Sequence, residues 1–255
     1  MTSTNSEGLP ATTGRLVDRV ALVTGSSGGI GRATVLALAA EGALVVGVSR
    51  SPDTELSLEH QVAGLGSEYI HIQGDAREST VARLAVNKAI ERFGRLDILV
   101  NNAGVGHYDD ITNATEELYD EIMDTSMRAT FLFTIEAVPH MVSQGSGHLI
   151  QIASQAGIQG FPREAIYCAA KHAQVGFSRA LRRELQPHGI KVAAIEPAAV
   201  KTNFAINRGR DAEFYSQDGY FLTAEDVANA VVFLATQSPG SRVPELQMVS
   251  LGEPL

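Results

Sequence analysis

Cysteine is nearly absent from this 255-residue chain, where Cys168 stands alone. A single thiol excludes an internal disulfide framework and suits a reducing compartment. No base is paired with Cys168 in the sequence, so it reads as packing rather than as a nucleophile. Aromatic residues are few, and positive charge is short. Twenty Lys and Arg stand against twenty-nine Asp and Glu, giving a formal charge of −9 and a pI near 5.3. That balance argues against nucleic acid or an anionic membrane surface as a partner. No apolar run approaches the length of a membrane span. The first fifteen residues are polar and lack an apolar h-region, so a secretory signal is not expected. Residues 1–14 read as a disordered tail, and the protein as cytoplasmic. The histidines show no metal-ligand spacing, so no metal is expected.

Apolar residues are plentiful, at 44 %, enough for a sizeable core in a length that suits one large α/β domain. No linker, repeat or break in composition follows the tail, so residues 15–255 read as one domain. Residues 19–24 (RVALVT) read as a buried strand ending in Gly25-Ser26-Ser27-Gly28-Gly29-Ile30-Gly31, and 32–41 turn helical, closed by Gly42. Strand, glycine turn and helix N-terminus make a phosphate cradle, because backbone N–H groups and the helix dipole face the anion. The spacing differs from G-x-G-x-x-G, and a tight loop without a ligand is the plainer alternative. Residues 43–48 are the second strand. An acid after it would grip the ribose hydroxyls of NAD, whereas an Arg accommodates the 2′-phosphate of NADP. The acid is missing. Ser49 and Arg50 follow instead, which tilts the expectation to NADP(H).

A helix is expected over 54–65, a strand over 69–73 ending at Gly74-Asp75-Ala76, a helix over 78–93 and a strand over 96–100. The last runs into Asn101-Asn102-Ala103-Gly104, whose short side chains let a cofactor lie against backbone. One long helix is expected over about 115–144, with Pro139 kinking or shortening its end. Further on come a strand over 191–195, then Glu196-Pro197-Ala198. The irregular segment 203–222 holds five aromatics and reads as a substrate lid. An N-capped helix over 223–236 and a strand over 245–251 close the chain. This alternation implies a doubly wound parallel sheet with ligands at strand carboxyl ends.

Residues 147–171, GHLIQIASQAGIQGFPREAIYCAAK, carry the chemistry. A short apolar run breaks at Gly157 and Gly160, turns at Phe161-Pro162 and resumes as a helix. Tyr167 and Lys171 lie four apart on that helix, hence on one face. An ammonium beside a phenol favours phenolate and lowers a pKa that is otherwise about 10. Tyr167 can then give or take a proton near neutral pH. Ser154 can hold a substrate oxygen beside it.

Taken together and in this order, the motifs resemble the short-chain dehydrogenase/reductase family, over nearly all of 15–251. Thr24 to Gly31 matches TGxxxGxG, Asn101 to Gly104 matches NNAG, and Tyr167-x-x-x-Lys171 matches YxxxK, with Ser154 at the active-site serine position. The resemblance implies a single Rossmann-like domain with a seven-stranded parallel sheet. It implies that Tyr167 donates the proton in carbonyl reduction, Ser154 polarises the substrate oxygen, and Lys171 lowers the Tyr pKa and binds the nicotinamide ribose. The cofactor would also be held by Gly25, Ser27, Gly28, Gly29, Ile30 and Gly31, by Ser49 and Arg50, by Asp75 at the adenine with Ala76, and by Asn102, Ala103 and Gly104. Ile195, Pro197, Ala198, Val200 and Thr202 would line the nicotinamide and phosphates. His107, Gln155, Phe161 and Phe204 are the expected substrate contacts.

The chain departs from the family pattern at three places. Ser126 stands where the family has an Asn that supports a proton relay to the Lys. Ala198 replaces a glycine and should narrow the nicotinamide pocket. The last strand lacks the Gly-Gly ending, so different subunit contacts are expected there. The expected function is NADP(H)-dependent interconversion of a ketone or aldehyde and its alcohol, with a small substrate that is apolar in part. Two alternatives stand beside it: a dinucleotide-binding regulator that has lost turnover, and an epimerase or dehydratase on the same fold. On the expected helices over about 115–144 and 165–186, Phe131, Phe133, Ile135, Val175, Phe177 and Leu181 exceed one buried stripe, so a homodimer or homotetramer through these two helices is expected.

Overall fold

A computed structural model describes residues 14–52, 57–210, 213 and 221–252. Seven apolar runs become strands: β1 (Val20–Thr24), β2 (Leu44–Ser49), β3 (Tyr69–Gln73), β4 (Ile98–Asn101), β5 (Gly147–Ile152), β6 (Ile190–Pro197) and β7 (Glu245–Met248). They pair in parallel throughout, in the order β3-β2-β1-β4-β5-β6-β7. β1 and β4 are buried along their whole length, as a parallel sheet covered on both faces requires.

Alternate residues of each strand serve opposite faces. Ala21 and Val23 of β1 pack with Val35 and Leu38 of α1 (Gly29–Ala40), Val62 of α2 (Leu58–Gly64) and Val231 of α7 (Ala224–Ala235). Val20 and Leu22 face the other way. They join Ala82 and Val86 of α3 (Ser79–Phe93), Phe133 and Met141 of α5 (Ala129–Gln144) and Leu185 of α6 (Ala165–Leu185). Strand order reverses beside β1. The loops leaving β1 and β4 therefore diverge and open a cleft at the carboxyl ends, where this topology places ligands.

The long helix expected over 115–144 is interrupted. It consists of α4 (Glu116–Met123), capped by Thr115 Oγ1 accepting from Leu118 N, then a π turn over Asp124–Arg128, then α5. The Thr130 and Thr134 hydroxyls donate to the carbonyls of Ser126 and Thr130, both at 2.7 Å, back-bonding of the kind that bends helices. Pro139 does not end α5, which runs on to Gln144 and stops at left-handed Gly145 (φ 67°). Ile135, whose carbonyl loses its partner to the proline ring, is on the solvent side. α7 opens on a full capping box between Thr223 and Asp226.

The expected tail lies outside the described residues, except Gly14. So does most of the second half of the expected lid; its first part, 203–210, is described. Among the described residues no helix is long and apolar enough to cross a membrane, and no group of three His, Cys, Asp or Glu is placed to hold a metal ion.

Candidate active site

The glycine turn after β1 is built to admit an anion. A Cβ on Gly31 would stand 2.0 Å from the Gly25 carbonyl oxygen, so only glycine lets α1 start this close to the strand. Gly29 takes φ +49° and lies against Thr202, which brings the loop after β6 up to the turn. Among the described residues no side chain caps α1, and no acid sits in its first turn, so its leading N–H groups and dipole are available to phosphate. Asn102 braces the turn. Its amide donates to the carbonyls of Thr24 (2.9 Å) and Gly25 (3.2 Å), while Thr24 Oγ1 accepts from Asn102 N and Ala103 N, both at 2.9 Å. Asn102 thus acts on the cleft by holding two strands together as well as by lining it.

From this turn a cavity of about 1280 Å³ runs along the carboxyl ends of the strands. Of the residues expected to hold a cofactor, Gly25, Gly28, Gly29, Ile30, Asn102, Ala103, Gly104, Pro197, Ala198, Val200 and Thr202 line it, together with Ser154, Tyr167 and Lys171. The open turn, the uncapped helix and this volume fit a nicotinamide dinucleotide. Ser27, Gly31, Ser49, Arg50, Asp75 and Ala76 lie off the cavity wall. Ser27 is an exposed turn residue and Ala76 is buried in the core. Ser49 Oγ donates to the Ser51 carbonyl (2.9 Å) and meets His71 Nε2 at 2.9 Å. Arg50 is exposed, with its carbonyl accepting from Gln73 Nε2. Asp75 is engaged by Arg77, whose guanidinium holds its pKa below the ordinary value, with a smaller push from Arg50. Arg32 does line the cavity. Its place directly after Gly31 was the signal that could have found it.

At the other end β5 delivers Ser154 and α6 delivers Tyr167 and Lys171. Ser154 caps a single 3₁₀ turn, Gln155–Gly157, its Oγ accepting from Ala156 N at 3.1 Å. Lys171 Nζ donates to the Ile152 carbonyl at 3.0 Å and lies 5.6 Å from the Tyr167 ring centroid. Tyr167 is almost wholly buried, edge-on to Tyr108 and tilted against Phe204, with ring centroids 5.8 Å apart in both pairs. Burial raises the Tyr167 pKa well above its usual value, opposed by the Ser154 hydroxyl. Burial also pushes Lys171 down to about 7. The expected lowering of the phenol pKa by a neighbouring ammonium is therefore outweighed here, because desolvation disfavours the charged form of both groups.

The remaining expected residues are dispersed. Gln155, Phe161 and Phe204 reach the cavity, and Gln155 Nε2 is tied to the Glu196 carbonyl at 2.9 Å. His107 does not line it; its neighbour Tyr108 does. Ile195 belongs to the core. Ser126 is fully buried behind the site. Arg163 and Arg210, which carry no motif in the sequence, both line the cavity. Arg163 Nη2 donates to the Tyr108 carbonyl (3.2 Å), and Arg210 lies 4.5 Å over the Tyr108 ring. Arg208 pairs with Glu121 of α4, so the described part of the expected lid is pinned over Tyr108.

Residues 19–213 match the family model for short chain dehydrogenases. The chain belongs to that family. A 3-oxoacyl-[acyl-carrier-protein] reductase of Synechocystis sp. is 34 % identical over 224 residues, covering 87 % of this chain and 90 % of the relative. Among solved structures, carveol dehydrogenase from Mycobacterium avium in complex with NAD superposes with a TM-score of 0.83 at 27 % identity, covering 93 % of this chain and 98 % of that one. A metagenomic short-chain oxidoreductase in complex with NADP gives 0.79 at 27 %, covering 92 % and 98 %. This short-chain dehydrogenase is thus an oxidoreductase with a nicotinamide dinucleotide as its cofactor, and its relatives divide between NAD and NADP.

Proposed function

We propose that this short-chain dehydrogenase reduces a ketone or aldehyde to its alcohol, and runs the reverse reaction, with NADP(H). The observation that carries the proposal is one cavity lined by an anion-ready glycine turn at one end and by Ser154, Tyr167 and Lys171 at the other. A bound nicotinamide dinucleotide supplies the hydride. The protein does the rest. Ser154 orients the carbonyl oxygen, and Tyr167 gives that oxygen a proton as the alcohol forms. Lys171, held by the Ile152 carbonyl, sits behind the phenol where its ammonium offsets the phenolate left by proton transfer. Tyr108 and Phe204 flank Tyr167 and keep water from the reacting atoms.

The NADP(H) choice rests on Ser49 and Arg50, which put a cation and no carboxylate at the end of β2. The substrate is a small carbonyl compound, apolar in part where it meets Phe161 and Phe204. The name of the Synechocystis relative brings 3-oxoacyl thioesters into the range to test. Phe131 and Ile135, exposed on α5, support a homodimer or homotetramer, and the single cysteine supports a cytoplasmic setting. A screen of ketones, aldehydes and 3-oxoacyl thioesters tests the reading by following absorbance of the reduced nicotinamide. Consumption of NADPH in step with alcohol formation is expected; dinucleotide binding with no turnover on any carbonyl class would overturn it.

A further inference from the structure

Behind the active site lies a buried polar cluster that the reaction as proposed does not use. Ser126 and Gln174 are both completely buried. Gln174 stands on α6 three residues after Lys171, hence on the same side of the helix. Its Nε2 donates to the Ser126 carbonyl at 3.1 Å and to Thr130 Oγ1 at 2.9 Å. Thr130 Oγ1 donates in turn to the same carbonyl, and Gln151 Nε2 from β5 donates to Thr130 Oγ1 at 2.9 Å. The two lone pairs of the Ser126 carbonyl are therefore both taken. Two other buried atoms here, Ser126 Oγ and Gln174 Oε1, have no partner among the described residues, which is costly in an interior. The Ser126 hydroxyl and Lys171 Nζ each lie 3.7 Å from the point where a Cβ on Gly104 would stand, so both groups border the space beside Gly104.

We infer that Gln174 is a positioning residue, whose amide clamps the π turn so that the Ser126 hydroxyl is presented to Lys171 as its polar neighbour. The role rests on the reductase reading for its consequence, since Lys171 acts there through Tyr167. The clamp itself does not depend on that reading. Two ends of the cluster argue for function over packing. A π turn breaks the helix at this point, and such turns recur at functional sites. A Gln chosen for packing alone would not leave its own carbonyl orphaned in the interior. The charged and titratable groups around Lys171 are few. Tyr167 is on its own helix, Tyr108 lies beyond Tyr167, and Asp124 of the π turn acts on Arg77; burial alone shifts Lys171.

The test uses the ligand-free protein first. The chain has four lysines, Lys88, Lys171, Lys191 and Lys201, so carbon-13 labelling at lysine Cε resolves each titration by NMR, with Lys171 identified from Lys171→Met. In the wild type Lys171 should titrate near about 7. Gln174→Met and Ser126→Ala should each lower that midpoint by about half a unit or more, since each takes a polar neighbour from the ammonium. Their double variant should go no further than the larger single effect, because both act through one hydroxyl. In the reductase assay both should lower kcat by roughly tenfold with KM little changed and should shift the pH–rate profile. Should Gln174→Met fail to fold, Ser126→Ala carries the same titration, since it removes an orphaned hydroxyl rather than a clamp. A Lys171 midpoint unmoved in Ser126→Ala or in folded Gln174→Met, or shifts that simply add, would overturn the inference. A wild type inert toward every carbonyl would sink the reductase reading alone, and the titration would still decide this one.

Discussion

At the scale of single side chains, the candidate active site sets a phenol and an amine where neither ion is welcome. Burial raises Tyr167 and lowers Lys171, so proton transfer is coupled to whatever restores charge to the cleft. Arg50 governs the choice of cofactor in the proposed function. Arg50→Asp should erase a preference for NADPH over NADH by removing a charge-assisted contact of roughly 1.5–3 kcal/mol and adding repulsion. Paired titrations with the two cofactors check this, and equal affinity in the unmodified protein would contradict it. The meeting of Ser154, Tyr167 and Lys171 at one cavity was legible in the sequence because helix spacing and a strand end fix their relation locally. Tyr108, Arg163, Arg210 and Gln174 were not, because each meets the site across elements far apart in the chain. His107 against Tyr108 shows how narrow the margin is: a loop residue's direction has no periodicity to read it from.

At the scale of elements, the strand–turn–helix at the start of the sheet is the least forgiving. Gly31→Ala places a methyl carbon 2.0 Å from the Gly25 oxygen and 2.6 Å from Asn102 Nδ2. Turn and brace must then part. A loss of about 1–3 kcal/mol is expected from overpacking of this kind, with dinucleotide affinity reduced as well. Chemical denaturation and cofactor titration of the one variant measure both, and an unchanged midpoint with unchanged affinity would contradict the cradle. All seven strands were legible, β3 to the residue and the others with boundaries moved by up to three residues. The long helix was read as continuous because hydrophobic spacing persists through it. The π turn at Ser126 depends on threonine back-bonding and on Gln174 from another helix, neither of which leaves a local pattern. Pro139 does not shorten α5, which ends at Gln144 as expected, since its cost falls on the solvent side.

At the scale of the whole molecule, two predictions concern what surrounds the site. Glu196 on β6 is fully buried with both carboxylate oxygens unpartnered among the described residues, and burial with Glu245 nearby raises its pKa from 4.5 to about 7. A raised carboxyl pKa means the folded state holds the proton more tightly. Its stabilising effect is complete below about 4.5 and is lost as pH rises to about 7. Glu196→Gln should therefore match the wild type near about pH 4 and exceed it by roughly 1–3 kcal/mol near about pH 8. Buried His148, lowered to about 4, works in the opposite direction but cancels in the difference. Thermal melts of both proteins across pH read this directly, and a pH-independent difference would refute it. Assembly is the second. Of the six apolar residues expected to face a partner, Phe133 and Val175 are spent in the monomer's interior, whereas Phe131 and Ile135 are 44 % and 45 % exposed. Phe131→Glu with Ile135→Glu should lower the sedimentation coefficient at micromolar concentration while leaving the fold intact. A wild type that already sediments as a monomer would contradict the proposed oligomer.

The central claim is that Tyr167 handles the proton, and one substitution reaches it. Tyr167→Phe keeps the ring between Tyr108 and Phe204 and removes only the hydroxyl. Once a carbonyl substrate is found, NADPH consumption by this variant should fall by about 10²-fold or more, the scale of a positioned acid or base, while its affinity for the dinucleotide barely changes. Undiminished turnover in Tyr167→Phe would mean that the proton comes from elsewhere and would contradict the account at its root.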